Sequence, residues 1–235
     1  MGLKKPYLEY ILECAAMSIG DLRGKKMLEL GDQEVSGEGI PEKTGKEYFT
    51  NRGVIHTSFD LNGRRGALKV DLSKPIKKPE WLSQFDIVTN AGTLEHVEPY
   101  EAQYTCFKNV HDCLKTGGIA IHFLPDIKAF QETGKWKGHC NNFYSVGFVD
   151  MLVKYNDYTL ILLRDINGLV CPCYRKNSNK PFMGDREVIL KSIERLGGGT
   201  VYHGINDPIF NRLLRLPYYA MRKIHLLASR GRDKK

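Results

Sequence analysis

Three short apolar runs in this chain each end on a polar side chain: residues 54–59 on Asp60, 67–70 on Asp71 and 85–89 on Asn90. A carboxylate there can accept hydrogen bonds from a ligand's hydroxyl or amino groups, and an amide can both donate and accept. Gly31 closes an earlier run, 26–30, where glycine lets the backbone turn tightly and approach a ligand. His96 follows the fourth run by six residues, His139 lies in Gly138-His139-Cys140-Asn141-Asn142, and His122 falls inside a fifth run. Imidazole exchanges protons near neutral pH, so His96, then His139, then His122 are candidate bases, with Glu95 able to orient His96. The plainer reading stands beside each: a strand-end acid also caps a turn, and a histidine near a cleft also packs.

These residues need elements that bring them together. Residues 7–19 carry Leu8, Ile11, Leu12, Ala15 and Ile19 at helical spacing, and Gly20 ends that helix. Residues 99–115 predict another, with Pro99 at its first position, a stripe of Tyr100, Tyr104, Phe107, Val110 and Leu114, and Gly117-Gly118 beyond. A fifth strand spans 118–123 and a helix 148–155. Residues 159–165 and 169–174 flank Asn167-Gly168, a strong signal for a tight antiparallel hairpin. Apolar runs alternating with helical segments predict parallel β-α-β construction finished by that hairpin.

The 235-residue chain is 42% hydrophobic and 26% charged, the composition of a globular protein able to bury a core without disulfide or metal staples. No run reaches the roughly 18–20 apolar residues of a membrane-spanning helix, and charges interrupt the first residues, against a secretory signal. Six cysteines without a C-x-x-C pair predict reduced thiols and a cytoplasmic location. Asp60, Asp71, His96, His122, Asp126 and His139 form a carboxylate and histidine collection without H-x-x-x-H or comparable spacing, so no metal is expected. No G-x-G-x-x-G follows the first strand, which excludes an NAD-type reading.

The stretches MLELG (27–31), SFDLNG (58–63), KVDLSKP (69–75), FDIVTNAGTLEHV (85–97) and CLKTGGIAIHFLP (113–125), in that order, resemble the class I S-adenosylmethionine-dependent methyltransferases, with a flavour of glycan-associated members. The resemblance implies an α/β, Rossmann-like, mostly parallel seven-stranded sheet with an antiparallel last strand and helices on both faces. It implies a domain over 24–176, preceded by an N-terminal helix in 1–23 and followed by an extension, 177–235. S-adenosylmethionine would lie beyond the carboxyl ends of the strands. Glu29 and Gly31 would shape the loop beside its methionine part, Asp60 would hold the ribose hydroxyls and Leu61 would pack beside the adenine. Asp71 and the Leu72 amide would meet the adenine edge, Asn90 and Ala91 would line the methyl passage, and Glu95 would contact the cofactor or orient His96. The chain departs from the family's E/D-x-G-x-G-x-G loop, reading Glu29-Leu30-Gly31-Asp32-Gln33-Glu34-Val35. That loop either takes another path, through Gly37 and Gly39, or binds cofactor weakly.

The implied reaction is methyl transfer to a small-molecule or glycan hydroxyl, with His96 or His139 assisting proton removal. A methyltransferase-like scaffold without catalysis and an RNA methyltransferase are the alternatives. Residues 211–235 hold eight basic residues against one acid, leaving the remainder almost neutral. Phe210, Leu213, Leu214, Pro217, Tyr218, Met221, His225 and Ala228 fall on one stripe there. Such a segment can lie on an anionic membrane surface or pack as a terminal helix with a solvated basic face. Nucleic acid is the less favoured partner, since no aromatic-basic module accompanies the charge.

Overall fold

The first apolar run lies at the centre of a seven-stranded sheet in the computed structural model, which describes residues 2–196 and Gly199. In chain order the elements are β1 (Leu3–Lys4), α1 (Lys5–Ser18), β2 (Lys26–Leu30), β3 (Val35–Ser36), α2 (Gly45–Thr50) and β4 (Ile55–Asp60). There follow β5 (Leu68–Lys69), β6 (Phe85–Ala91), α3 (Ala102–Cys113), β7 (Leu114–Pro125), α4 (Ile127–Thr133) and β8 (Asn142–Phe143). The described elements end with α5 (Val146–Tyr155), β9 (Tyr158–Asp165), β10 (Leu169–Lys176), α6 (Arg186–Lys191) and β11 (Glu194–Arg195). They belong to one compact unit. The basic segment 211–235, with its membrane and nucleic-acid readings, lies outside the described residues.

Strand order is β5-β4-β2-β6-β7-β10-β9. β2 pairs in parallel with β4 and β6, β6 with β7, and β4 with β5. β10 runs antiparallel between β7 and β9. The sheet is therefore Rossmann-like and mostly parallel, with β10, its last strand in chain order, antiparallel. Asn167 and Gly168 both take positive φ, 59° and 71°, as the two-residue hairpin turn requires. Among the described residues no helix is long and apolar enough to cross a membrane.

Alternation along the strands divides the core between the two faces of the sheet. On one, Tyr7, Leu8, Ile11, Cys14 and Ala15 of α1 pack with Met27, Ile87, Ile121 and Phe123. On the other, Phe107 and Val110 of α3, Phe148 and Leu152 of α5 and Ile189 of α6 cover Leu28, Leu30, Val88 and Ala120. Residues flanking the expected 24–176 domain share these clusters, since α1 and residues 182–193 contribute buried side chains to them. All six cysteines are free and buried.

Several elements differ from the periodic pattern. The helix expected from Pro99 starts at Ala102, preceded by a turn in which the Ala102 N–H donates to the Pro99 carbonyl at 2.7 Å. It ends at Cys113 because Leu114 passes directly into β7. Lys176, buried on β10, donates from Nζ to the His111 and Leu114 carbonyls at 2.8 and 3.1 Å, satisfying acceptors where the helix stops. α2 carries a capping box between Thr44 and Glu47, and β1 pairs with β3 at the edge of the molecule.

Candidate active site

Gly31 follows β2 with φ +88°, and its N–H donates to the Phe59 carbonyl at 2.7 Å, tying the turn to the end of β4. A Cβ at this position would lie 2.2 Å from Thr93 Oγ1 and 2.4 Å from Gln33 Nε2. Thr93 is itself fixed, its hydroxyl donating to the Leu30 carbonyl at 2.8 Å. The glycine turn after β2 and the loop after β6 are thus in contact.

The loop after Gly31 carries side chains where the family pattern has glycines. Gln33 and Val35 stand where the second and third glycines would fall, and Gln33 Nε2 donates to Thr93 Oγ1 at 3.3 Å. From there the chain leaves the sheet end: Val35 and Ser36 pair with Leu3 and Lys4, and Gly37 and Gly39 lie beyond that pairing. Arg65, in a left-handed conformation at φ 49°, holds the polar part of the loop. Its Nε donates to Asp32 at 2.7 Å and its NH1 to Glu34 at 2.8 Å.

Asp60, the last residue of β4, accepts from the Asp32 N–H at 3.0 Å through one carboxylate oxygen and from the Asn62 N–H at 2.8 Å through the other. A carboxylate offers about four lone-pair sites, so acceptor capacity remains on both oxygens. Leu61 beside it is partly exposed. Asp71 is exposed, with one oxygen accepting from the Ser73 N–H at 3.0 Å and the Ser73 hydroxyl at 2.6 Å. Leu72 is buried in the core and leaves only its backbone to a ligand. Asn109 of α3 pins this segment, donating to the Leu72 and Lys74 carbonyls and accepting from the Ile76 N–H.

Glu29 is buried below the loop. It faces His56 of β4, Oε2 to Nε2 at 3.0 Å, and lies so close to Gly45 that a Cβ there would meet its carboxylate at 2.4 Å. Burial raises the Glu29 carboxyl above its ordinary range, with His56 opposing that rise. The His56 contact joins β2 to β4.

At the end of β6, Asn90 is fully buried and accepts the Leu94 N–H at 3.1 Å, while Ala91 is buried beside it. A short 3-10 turn, Leu94–His96, then presents Glu95 and His96. His139 reaches the same place from the loop after α4, and its ring lies 4.7 Å from that of His96, edge to face. Each histidine Nε2 is 3.8 Å from Glu95 Oε1. Burial alone would raise the Glu95 carboxyl, but His139 and His96 outweigh it and hold the group below the ordinary range. The Glu95 side chain is 0% exposed.

Buried amides clamp this turn. Gln103 donates to the Leu94 and Val97 carbonyls at 2.8 and 2.9 Å and accepts from the Tyr144 hydroxyl. Asn142 donates to the Glu95 carbonyl at 3.0 Å. The His139 loop is tied down by Trp136, whose indole donates to the Gly168 carbonyl at 2.7 Å and packs against the His139 ring. His122 lies instead in the core of β7, stacked on Tyr174 and bonded to its hydroxyl at 3.0 Å.

No protein-family model matches the chain, and no curated protein matches it. Solved structures with a similar course of the chain include a 1,6-didemethyltoxoflavin-N1-methyltransferase from Burkholderia thailandensis with bound S-adenosylhomocysteine. It is 16% identical with a TM-score of 0.48, over 71% of this chain and 77% of that one. The N-methyltransferase NodS from Bradyrhizobium japonicum is 12% identical with a TM-score of 0.46, over 74% and 89%. An S-adenosylmethionine-dependent methyltransferase from Clostridium acetobutylicum is 12% identical with a TM-score of 0.46, over 72% and 90%.

Proposed function

We propose that the protein is an S-adenosylmethionine-dependent methyltransferase acting on a hydroxyl of a small-molecule or glycan acceptor. One observation carries the reading: left-handed Gly31, the strand-end carboxylate of Asp60, buried Glu95 and partly exposed His139 lie at the carboxyl edge of β2, β4 and β6. That edge is where open α/β sheets take their ligands. The residues fit the ribose end of the cofactor, because Asp60 retains acceptor sites for its hydroxyls, while the side of the Gly31 turn where a Cβ would stand is taken by Thr93 and Gln33. Gln33 offers an amide to the methionine end in place of the missing glycine.

When bound, S-adenosylmethionine supplies a methyl group on a positively charged sulfur. Asp60 orients the ribose end, Asn90 and Ala91 wall the passage, and His139, 26% exposed at its side chain, meets the acceptor. His139 would take the proton of the acceptor hydroxyl as that oxygen is methylated. Glu95 stabilises the imidazolium that results, and His96 packs edge-on to keep the His139 ring in place. Alignment and proton removal carry the rate in this scheme.

Incubation with methyl-labelled cofactor and a panel of hydroxylated small molecules and glycans tests the reading. Transfer is expected to at least one acceptor class, and His139→Ala is expected to lower turnover about 10²- to 10⁴-fold while cofactor affinity is unchanged. Cofactor binding without transfer across the panel supports the scaffold reading, which the Gln33 side chain lying against Gly31 favours.

A further inference from the structure

Glu95 presents an energetic problem that the methyl-transfer scheme leaves unsolved. Its carboxylate is wholly buried, and neither oxygen has a hydrogen-bond donor among the described residues. The histidine nitrogens at 3.8 Å are too distant to donate directly. Burying a carboxylate without donors costs several kcal/mol, and buried charges are ordinarily paired or bound to metal. His139 Nε2 likewise has no hydrogen-bond partner among the described residues, and it faces the same point.

We propose that Glu95, His96 and His139 form a two-histidine, one-carboxylate site for a divalent transition-metal ion of the zinc type. One ligand atom from each lies within 4.8 Å of the others. Four bonds of about 2.0–2.1 Å arranged as a tetrahedron place neighbouring ligand atoms about 3.4 Å apart. The two histidine-to-carboxylate separations of 3.8 Å need a few tenths of an ångström of closure, and the third pair, within 4.8 Å, needs at most about 1.4 Å. Two imidazoles and a carboxylate select zinc, cobalt or iron(II) over magnesium, which prefers an all-oxygen shell. The supporting shell is in place, since Asn142 holds the Glu95 backbone and the Trp136 ring flanks His139. On the exposed side of His139 a fourth position is open to water or to an acceptor oxygen. Ion binding itself is independent of the methyl-transfer reading; its chemical use rests on that reading. In the ion-bound state the metal would take over from the His139 base of the metal-free scheme, lowering the pKa of a bound acceptor hydroxyl whose proton leaves to solvent.

The test uses the full chain, stripped with a chelator and titrated calorimetrically with zinc, cobalt(II) and magnesium chlorides. One equivalent of zinc or cobalt is expected, with visible cobalt absorption of a low-coordinate nitrogen and oxygen site, and no comparable magnesium uptake. His139→Ala is expected to weaken zinc binding about 100-fold or more, and Glu95→Gln similarly, with circular dichroism unchanged for His139→Ala. Asp60→Ala, remote from the ligands, should bind zinc normally while losing cofactor, so failure of the ion site and failure of the cofactor reading are separable. The proposal is overturned if the intact protein takes up no stoichiometric zinc or cobalt, if His139→Ala binds as tightly as the parent, or if cobalt shows thiolate charge-transfer bands from cysteine.

Discussion

Gly31→Ala is expected to cost about 2–3 kcal/mol of stability and to weaken S-adenosylhomocysteine binding about 100-fold or more. The backbone there has φ +88°, which disfavours any L side chain by about 1–2 kcal/mol. The added Cβ would also stand 2.2 Å from Thr93 Oγ1. Gln33 can swing aside, but Thr93 is short, branched and bonded to the Leu30 carbonyl, so relieving the clash breaks that bond. Gly39→Ala is the matched control, because Gly39 also has positive φ, +77°, and has nothing within 4 Å of a built Cβ. It should lose only the conformational cost and bind cofactor normally. Urea unfolding and ligand titration of the two variants check this; equal losses would contradict the close approach at Gly31.

A large effect is also expected from acid. His122, buried between Phe107 and Tyr174, is pushed down to about 3 by burial. His111 is pushed down to about 4 by burial and by the neighbouring Lys176. The unfolded chain takes up these two protons below about pH 6.5, whereas the folded core refuses them until far lower. The unfolded state therefore binds more protons in that window. The stabilisation is complete above about pH 6.5 and is lost as pH falls towards the folded values, at about 1.4 kcal/mol per pH unit for each histidine. His122→Gln keeps a hydrogen-bonding group for the Tyr174 hydroxyl, and it should remove about one proton from the slope of unfolding free energy against pH. An unchanged slope would mean that His122 is already protonated, or solvated, in the folded state.

Strand ends were legible because an apolar run that stops at Asp60 or Asn90 marks the carboxyl end of a strand. The hairpin was legible from Asn167-Gly168, which few other conformations accommodate. β1 and β3, two residues each, and α4, seven residues with no helical stripe read, carried no usable signal and were missed. α2 was missed too, although the Thr44 and Glu47 capping box signalled it. The amide clamps Gln103, Asn109 and Asn142 drew no reading, because polarity in a sequence says nothing about whether a backbone partner awaits inside. The His56 contact with Glu29 needs the β2–β4 register, and the Glu95 and His139 pair brings together residues from separate loops. Arg65 was silent for the same reason: only the folded loop shows that it reaches Asp32 and Glu34.

The central claim, a cofactor site at the ends of β2 and β4, is tested most directly by equilibrium titration of the purified chain with S-adenosylhomocysteine, alongside Asp60→Ala. Saturable one-site binding to the intact protein is expected, weakened about 100-fold in the variant as the ribose hydroxyls lose a charged acceptor. Absence of binding to the intact protein, or equal affinity in both, would contradict the account.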